Sequence, residues 1–128
     1  MAMKFAGAIR GSETLNNTPI SIRVPRFWDA YCGEQIVTMD YIDGHRAGSE
    51  AVAALPQGVR DELGKQMLRP FFTEIFDFGL MQTDPNFGNY LINEEGSELT
   101  LLDFGSVVEL EGPVRTAICD TIVAGLSH

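Results

Sequence analysis

Three polar side chains, Asp84, Asn89 and Asp103, have the types and the spacing that phosphoryl transfer requires. Asp84 and Asn89 are five positions apart in the segment QTDPNFGN (82–89), and Asp103 begins the segment DFG (103–105). Phosphoryl transfer needs one group that orients or deprotonates the acceptor, and metal ions that hold and neutralise the phosphates. A carboxylate at position 84 could do the first, and a carboxylate beside an amide oxygen could bind the ion.

Magnesium is the metal that these ligands favour. It prefers hard oxygen donors and keeps several waters, so Asn89 and Asp103 would leave room for phosphate oxygens. An Asp, an Asn five positions later and the Asp of a DFG segment also follow one another in kinase catalytic loops. The sequence therefore predicts Asp84 as the catalytic residue and Asn89 and Asp103 as metal ligands.

Two other structures could account for parts of this pattern. An Asp-Pro-Asn loop is commonly a turn that side-chain hydrogen bonds stabilise. A calcium loop of the EF-hand type would begin at Asp84 and would place Glu95 at its twelfth position, but Asn89 occupies the sixth position, where that loop requires glycine. The three residues taken together favour phosphoryl transfer.

Short strands and one long helix are predicted to position these residues. Apolar segments at 90–92 and 99–102, separated by a stretch that contains Gly96, predict a hairpin that would return Asp103 to Asn89. Upstream, alternation predicts a strand over 20–24, and β-branched and aromatic enrichment predicts another over 34–42. We expect those two strands to form an antiparallel pair.

A core helix is predicted over residues 59–78, with Pro70 bending it and Gly79 ending it. Its apolar side chains recur at four-residue steps and are expected to face the core; they are Leu63, Met67, Phe71 and Ile75, with Leu68, Phe72 and Phe76. Shorter helices are predicted over 1–10, from an N-cap at Ser49 to residue 54, and over 112–126, with a loop over 11–18. The predicted fold class is α+β.

Composition restricts the partners of the chain. Its 128 residues include 9 basic and 18 acidic side chains, which give a net charge of −9 at pH 7. Non-specific nucleic-acid binding needs clustered Lys and Arg, so no nucleic acid is expected as a partner. A nucleotide could still bind through a metal ion. No apolar run approaches the ~18 residues of a membrane span.

The central motif resembles that of the UbiB/AarF-domain atypical kinases. The resemblance rests on MQTDPNFGN (81–89) and LLDFG (101–105), and upstream on VPRFW (24–28) and VTMDYIDG (37–44), which are similar to the family's segments before and along the hinge. It covers roughly residues 24–110. The QTDPN form most resembles the branch that includes the mitochondrial coenzyme Q proteins, a form that bacterial relatives share.

The resemblance implies a protein-kinase-like fold of which this chain holds mainly the C-lobe. Residues 1–44 would be the end of the N-lobe and the hinge, and residues 45–128 the C-lobe with the catalytic loop and DFG. Asp84 would be the catalytic residue. The residues implied to contact the cofactors, ATP and magnesium, are Asp40, Tyr41 and Ile42 in the hinge, through their backbone, and Asn89 and Asp103.

The implied function is that of an ATP- and Mg-dependent atypical kinase or ATPase linked to ubiquinone (coenzyme Q) biosynthesis. Members of the family behave more like ATPases or small-molecule kinases than like protein kinases. The implied partners are a nucleotide, and lipids or quinone-pathway proteins. The implied location is the cytoplasm with peripheral membrane association, or the mitochondrion in a eukaryote.

Departures from the kinase pattern leave two alternative functions open. An assembled kinase site needs a phosphate-gripping Lys on a strand, but the lysines of this chain are Lys4 and Lys65, and Lys65 falls on the long helix. Gln82 stands where ordinary protein kinases have the His of their HRD segment. Asn86 stands two positions after Asp84, where many Ser/Thr protein kinases have a Lys. We therefore expect the chain to cover part of a kinase domain. The alternatives are a pseudokinase-like binding module and a small-molecule phosphotransferase of the aminoglycoside or choline type.

Overall fold

A computed structural model describes residues 2–12 and 18–127, and it shows a mixed fold of helices and short strands. The helices are α1 (Ala2–Gly11), α2 (Glu50–Ala53), α3 (Gln57–Thr73), a π-helical turn (Glu74–Phe78) and α4 (Gly112–Leu126). The strands are β1 (Ser21–Arg23), β2 (His45–Arg46), β3 (Leu80–Gln82), β4 (Tyr90–Ile92), β5 (Glu98–Leu101) and β6 (Val107–Glu109). Most of the loop predicted over 11–18 lies outside the described residues.

The strands form two small sheets. One sheet has the order β1-β5-β4-β2, and the other consists of β3 and β6 in antiparallel pairing. The predicted hairpin is confirmed, since β4 and β5 pair antiparallel with Tyr90 opposite Leu101. Both sheets therefore contribute to the segment 82–107. Strand β3 ends at its first residue, β4 and β5 lie within it, and β6 begins at its last residue.

The hydrophobic core lies between the larger sheet and the helices α1 and α3. Its members are buried side chains, and they come from most of the elements: Ala6, Ile9, Ile20, Ile22, Val24, Val52, Leu63, Leu80, Tyr90, Ile92, Leu99, Leu101, Phe104 and Val107. Burial of apolar area on this scale supplies most of the free energy that holds a small domain together. The core fixes the ends of β3, β4 and β5, which carry the predicted site.

The predicted pairing of residues 20–24 with residues 34–42 is wrong. β1 instead pairs in parallel with β5, with Ile22 opposite Leu99. Residues 34–42 do not form a strand; they meet the preceding segment at one antiparallel pair, Phe27 with Met39, and Ile36 and Val37 are exposed. Strand propensity depends on packing against neighbours, so the β-branched residues here indicated an extended chain without fixing its partner.

The predicted core face of the long helix is also partly wrong. Leu63 and Ile75 are buried, but Leu68, Phe71 and Phe72 are at least 38% exposed. The buried face of α3 consists instead of residues at steps of three and four, namely Leu63, Gln66, Pro70 and Thr73. Four-residue steps drift around a helix by about 40° each, so Phe71, two steps after Leu63, already lies off the buried face.

Helix ends agree with the sequence. The Ser49 side chain accepts a hydrogen bond from the Val52 amide at the start of α2. Gly79, with φ of 64°, follows the π-helical turn in the left-handed region that favours glycine. Helix α3 continues through Pro70 and changes to π-helical geometry at Glu74. The bend at Pro70 stays a prediction.

Helix α4 is held by a side chain rather than by burial. None of its residues is buried, and Arg115 reaches the π-helical turn, where its Nε donates to the carbonyl oxygen of Ile75 at 2.9 Å and a second guanidinium nitrogen donates to that of Phe76. Among the described residues, no helix combines the length and the apolar character that a membrane crossing requires.

Candidate active site

The central loop, residues 83–89, runs from the end of β3 to the start of β4 and closes with a 3-10 turn (Phe87–Asn89). Asn86 caps this turn, because its Oδ1 accepts a hydrogen bond from the Gly88 amide at 2.8 Å. The Asn89 amide donates to the Asn86 carbonyl at 2.9 Å. The loop is therefore, at Asn86, a turn that a side-chain hydrogen bond stabilises, which was one of the alternatives. The same turn determines the position of the Asn89 backbone.

Asn89 and Asp103 meet although 14 positions separate them. Their side chains are in contact, with Asn89 Nδ2 donating to Asp103 Oδ2 at 3.3 Å. The backbones are joined as well, because the Leu102 amide donates to the Asn89 carbonyl at 2.9 Å. The hairpin of β4 and β5 therefore brings the two predicted metal ligands to one end of the sheet, and the amide oxygen of Asn89 takes no part in this bond.

The DFG segment is fixed by its phenylalanine. Phe104 is 3% exposed in the core, with its ring edge-on to Phe27 at a centroid distance of 5.9 Å. Asp103 and Gly105 on either side are exposed, and the Gly105 amide donates to Asp103 Oδ1 at 2.8 Å. A buried anchor between two exposed residues thus holds the Asp103 carboxylate at the surface in a defined orientation.

The residue that precedes Asp84 is bonded to the segment that follows DFG. Thr83 donates to the carbonyl oxygen of Ser106 twice, from its amide at 2.7 Å and from its Oγ1 at 3.0 Å. Gln82, one residue earlier, stands opposite Val107 in the smaller sheet. Asp84 is exposed, so its carboxylate can reach solvent or a bound substrate. The residue before Asp84 is thus joined to the segment that follows Asp103.

The predicted hinge borders a cavity that reaches the central loop. Asp40 is tied to the preceding segment, since its Oδ1 accepts from Trp28 Nε1 at 2.8 Å and its amide donates to the carbonyl oxygen of Arg26 at 3.0 Å. A cavity of about 340 Å³ is lined by residues 40–42, by Gly88, and by Leu91 and Leu102 among others. Hinge residues and the neighbours of Asn89 and Asp103 therefore face one space.

One residue near the site was not found by sequence reasoning. Glu74, on the π-helical turn, is 2% exposed, and its Oε2 accepts a hydrogen bond from the Gln82 amide at 2.9 Å. Burial raises the pKa of Glu74 to about 7, against the lowering effect of that hydrogen bond. Burial, and secondly the nearby Glu74 charge, raise the pKa of Tyr90 to about 12. The sequence did contain a signal for Glu74, because it is an acidic residue within the apolar run at the end of the long helix.

The oxygen donors of the site fit a magnesium ion that is bound together with a nucleotide. Within residues 2–12 and 18–127, no three His, Cys, Asp or Glu side chains come together as a metal site would need. Asn89 and Asp103 offer one amide oxygen and one carboxylate. Magnesium is usually bound through one or two carboxylates together with substrate phosphates, rather than by an all-protein cage, so the residues present fit a nucleotide-bound ion.

The calcium-loop alternative is wrong. An EF-hand loop is flanked by helices, whereas the segment from Asp84 to Glu95 follows β3 and contains β4. Glu95, the expected bidentate ligand, accepts a hydrogen bond from Asn93 Nδ2 at 2.8 Å in the turn between β4 and β5.

The sequence was compared with known families. The model of the ABC1 atypical kinase-like domain matches residues 6–128. The chain belongs to this family. Similar ABC1 relatives include atypical kinase COQ8, mitochondrial, of Schizosaccharomyces pombe, which is 28% identical over 102 residues that cover 80% of this chain and 16% of the relative.

Vertebrate members of the ABC1 family are similar too. Atypical kinase COQ8B, mitochondrial, is 32% identical in Danio rerio, over 77% of this chain and 15% of the relative. The same-named protein of Rattus norvegicus is 34% identical over 66% of this chain and 16% of the relative. The chain spans about a sixth of the length of these relatives. Its mixture of helices and short strands is consistent with a kinase-like domain.

Proposed function

We propose that this chain carries the hinge, the catalytic loop and the metal-binding segment of an ATP- and Mg²⁺-dependent atypical kinase or ATPase. The contact of 3.3 Å between the side chains of Asn89 and Asp103 carries the proposal. Membership of the ABC1 family supports it. On this proposal residues 1–44 are the end of the N-lobe and the hinge, and residues 45–128 belong to the C-lobe.

Asp84, Asn89 and Asp103 divide the work of phosphoryl transfer between them. Asp103, through its carboxylate, and Asn89, through its amide oxygen, would hold the magnesium ion. When bound, that ion would supply positive charge that neutralises the phosphates during transfer. Asp84, exposed in the same loop as Asn89, orients the hydroxyl or water that accepts the phosphoryl group and takes its proton.

Electrostatics make nucleotide binding depend on magnesium. Asp84 and Asp103 are carboxylates, and the chain as a whole carries a net charge of −9. A free triphosphate would be repelled by these charges, because like charges that approach one another raise the free energy. We therefore expect ATP to bind only together with Mg²⁺, and Mg²⁺ alone to bind weakly to one carboxylate and one amide.

The adenine base is proposed to occupy the cavity of about 340 Å³ beside the hinge. The Asp40 amide is already bonded to Arg26, so the base would be met by the Asp40 carbonyl and by the backbone of Tyr41 and Ile42. Leu91 and Leu102 supply apolar surface for its ring. Leu102 immediately precedes Asp103, so on this proposal the base and the phosphates would contact neighbouring residues.

The biological setting follows from the resemblance and is part of the proposal. Relatives carry the name mitochondrial atypical kinase, and the QTDPN motif resembles that of the coenzyme Q branch. We propose a role in ubiquinone biosynthesis, with lipids or quinone-pathway proteins as partners of the whole protein. The proposed location is peripheral to a membrane.

The test is a titration of the chain with Mg²⁺-ATP, followed by the backbone amide signals of Gly88 and Gly105 in ¹H–¹⁵N correlation spectra. The wild-type signals should move with nucleotide concentration when Mg²⁺ is present and should stay still when EDTA replaces it. Asp103→Asn should lower the affinity at least ~10-fold, because it removes the charged ligand.

The control variant is Asp120→Asn, which makes the same change of charge on α4. It should retain the wild-type affinity. Equal loss of affinity in both variants would mean that net charge, and not the Asp103 site, governs binding. Wild-type signals that do not respond to Mg²⁺-ATP would refute the proposal for this chain.

Nucleotide binding without transfer is the second candidate function. Both lysines of the chain lie on helices and pair with carboxylates, Lys4 with Glu109 at 3.1 Å and Lys65 with Glu62 at 3.3 Å. Neither therefore stands on a strand beside the phosphates, where a kinase needs one. Release of inorganic phosphate from ATP that Asp84→Asn abolishes would exclude this candidate.

A further inference from the structure

Glu74 is a buried carboxyl group that the proposed transfer does not use. It is 2% exposed and is the first residue of the π-helical turn that follows α3. Such turns insert one residue into a helix and re-aim its side chains, and they are frequent at functional sites. Here the turn directs Glu74 at the end of β3, where the central loop begins.

Two hydrogen bonds connect Glu74 to the predicted metal ligand Asp103. The Gln82 amide donates to Glu74 Oε2 at 2.9 Å, and Gln82 Nε2 donates to the carbonyl oxygen of Asp103 at 3.1 Å. Gln82 is itself 6% exposed. The bond between Glu74 and Gln82 is buried and the bond between Gln82 and Asp103 is partly buried, and hydrogen bonds withdrawn from water are electrostatically stronger than those at the surface.

Packing alone holds the central loop poorly. Its residues from Thr83 to Phe87 are exposed, and a cavity of about 240 Å³ lies beneath it, lined by Glu74, Gln82, Pro85, Phe87 and Tyr90 among others. A loop with few buried apolar contacts opens at low cost unless hydrogen bonds fix it. The hydrogen bonds that join Gln82 to Glu74 and to Asp103 lie at the point where the loop leaves the sheet.

We propose that Glu74 and Gln82 are positioning residues of this site. Glu74 fixes where the central loop leaves β3, and Gln82 transmits that position to the backbone of Asp103. Asp84, two residues after Gln82, and Asp103 are thereby held in register with each other. The purpose of this arrangement rests on the proposed function, but the positioning itself can be measured without nucleotide.

The experiment compares amide signals in spectra of four variants of the chain. Glu74→Ala removes the acceptor, and it should shift the signals of Gly88 in the loop and of Gly105 after Asp103. Glu74→Gln should restore both signals, because its amide oxygen can accept from the Gln82 amide. Gln82→Met removes only the side-chain donor, and it should move Gly105 and leave Gly88 in place.

Ile75→Val is the matched control, because it trims a buried side chain in the same turn and touches neither hydrogen bond. It should lower the melting temperature and leave both glycine signals unchanged. If Glu74→Ala does not fold, Glu74→Asp, which withdraws the acceptor by one methylene, decides by the same signals.

Nucleotide affinity provides a second measurement. Glu74→Ala should weaken Mg²⁺-ATP binding at least ~10-fold and Glu74→Gln should restore it. Glycine signals that move as much in Ile75→Val as in Glu74→Ala, or that Glu74→Gln fails to restore, would overturn the positioning role. Signals that behave as expected in a chain that does not bind Mg²⁺-ATP would support the positioning role and refute the proposed function.

Discussion

At the residue scale, Asp103 shows how one side chain can be fixed by its neighbours. One carboxylate oxygen accepts from the Gly105 amide, the other accepts from Asn89, and the backbone carbonyl accepts from Gln82. Spacing in the sequence was enough to predict that Asp103 and Asn89 meet, because a hairpin of known length joins them. The contribution of Gln82 was not predictable, because it depends on the pairing of β3 with β6.

Glu74 makes the stability of the protein depend on pH. Burial raises the pKa of Glu74 from 4.5 to about 7, so the folded state binds this proton more tightly than the unfolded state does. The contribution of Glu74 to stability is therefore full below about pH 4.5 and declines as the pH rises through about 7. A difference of 2.5 pKa units corresponds to at most about 3 kcal/mol.

We expect Glu74→Gln to remove this decline. The free energy of unfolding, measured by urea denaturation at intervals from pH 5 to 8, should fall with pH in the wild type and stay flatter in the variant. The neighbouring Tyr90 does not titrate in this window, because its pKa is about 12. Exposed Glu34→Gln is the control and should keep the wild-type slope. Parallel slopes in wild type and Glu74→Gln would contradict the prediction.

At the element scale, turns decide whether the site assembles. The hairpin that joins Asn89 to Asp103 turns at Gly96, whose φ is 70°. A Cβ atom at Gly96 would lie 2.5 Å from Val59 Cγ1 on α3, which is closer than real atoms approach. Gly79 has a similar φ of 64°, but its Cβ would meet Arg115 Nη1 at an ordinary 3.5 Å.

We therefore expect Gly96→Ala to destabilise the protein more than Gly79→Ala does. Both variants impose the strain of a left-handed residue, about 1–2 kcal/mol. Gly96→Ala adds an overpacking cost of about 1–3 kcal/mol. Chemical denaturation of both variants measures the difference, and equal losses would show that the hairpin and α3 move apart without cost.

Elements were easier to predict than their partners. Local signals located β4 and β5, the N-cap at Ser49 and the helix end at Gly79, because each depends on residues a few positions apart. The parallel pairing of β1 with β5 depends on residues 77 positions apart, and no local pattern encodes it. The buried face of α3 was misjudged because the apolar residues Phe71 and Phe72 are not on it.

At the scale of the whole molecule, α4 is attached through few interactions. It buries none of its side chains, and the guanidinium of Arg115 binds the carbonyl oxygens of Ile75 and Phe76. Regions with little burial open locally at a small fraction of the cost of global unfolding. The stability of α4 should therefore differ from that of the sheet.

We expect Arg115→Met to release α4 while the sheet stays folded. Amide hydrogen exchange of residues 116–126 should accelerate roughly 10-fold or more, because hydrogen bonds to a charged group contribute about 1.5–3 kcal/mol. The amides of β4 and β5 should exchange at the wild-type rate. Arg23→Met is the control, since it removes an exposed pair with Glu98 at 3.4 Å and does not touch α4. A uniform acceleration across the chain would contradict the prediction.

The parallel strand pair has a consequence for the order in which the chain acquires its structure. Ser21 pairs with Glu98, so a ribosome must add 77 residues after Ser21 before β1 can begin to pair with β5. At typical synthesis rates that wait lasts several seconds, during which the apolar face of β1 stays open to other contacts. Ile22 of β1 is therefore expected to stay exposed in nascent chains until β5 emerges.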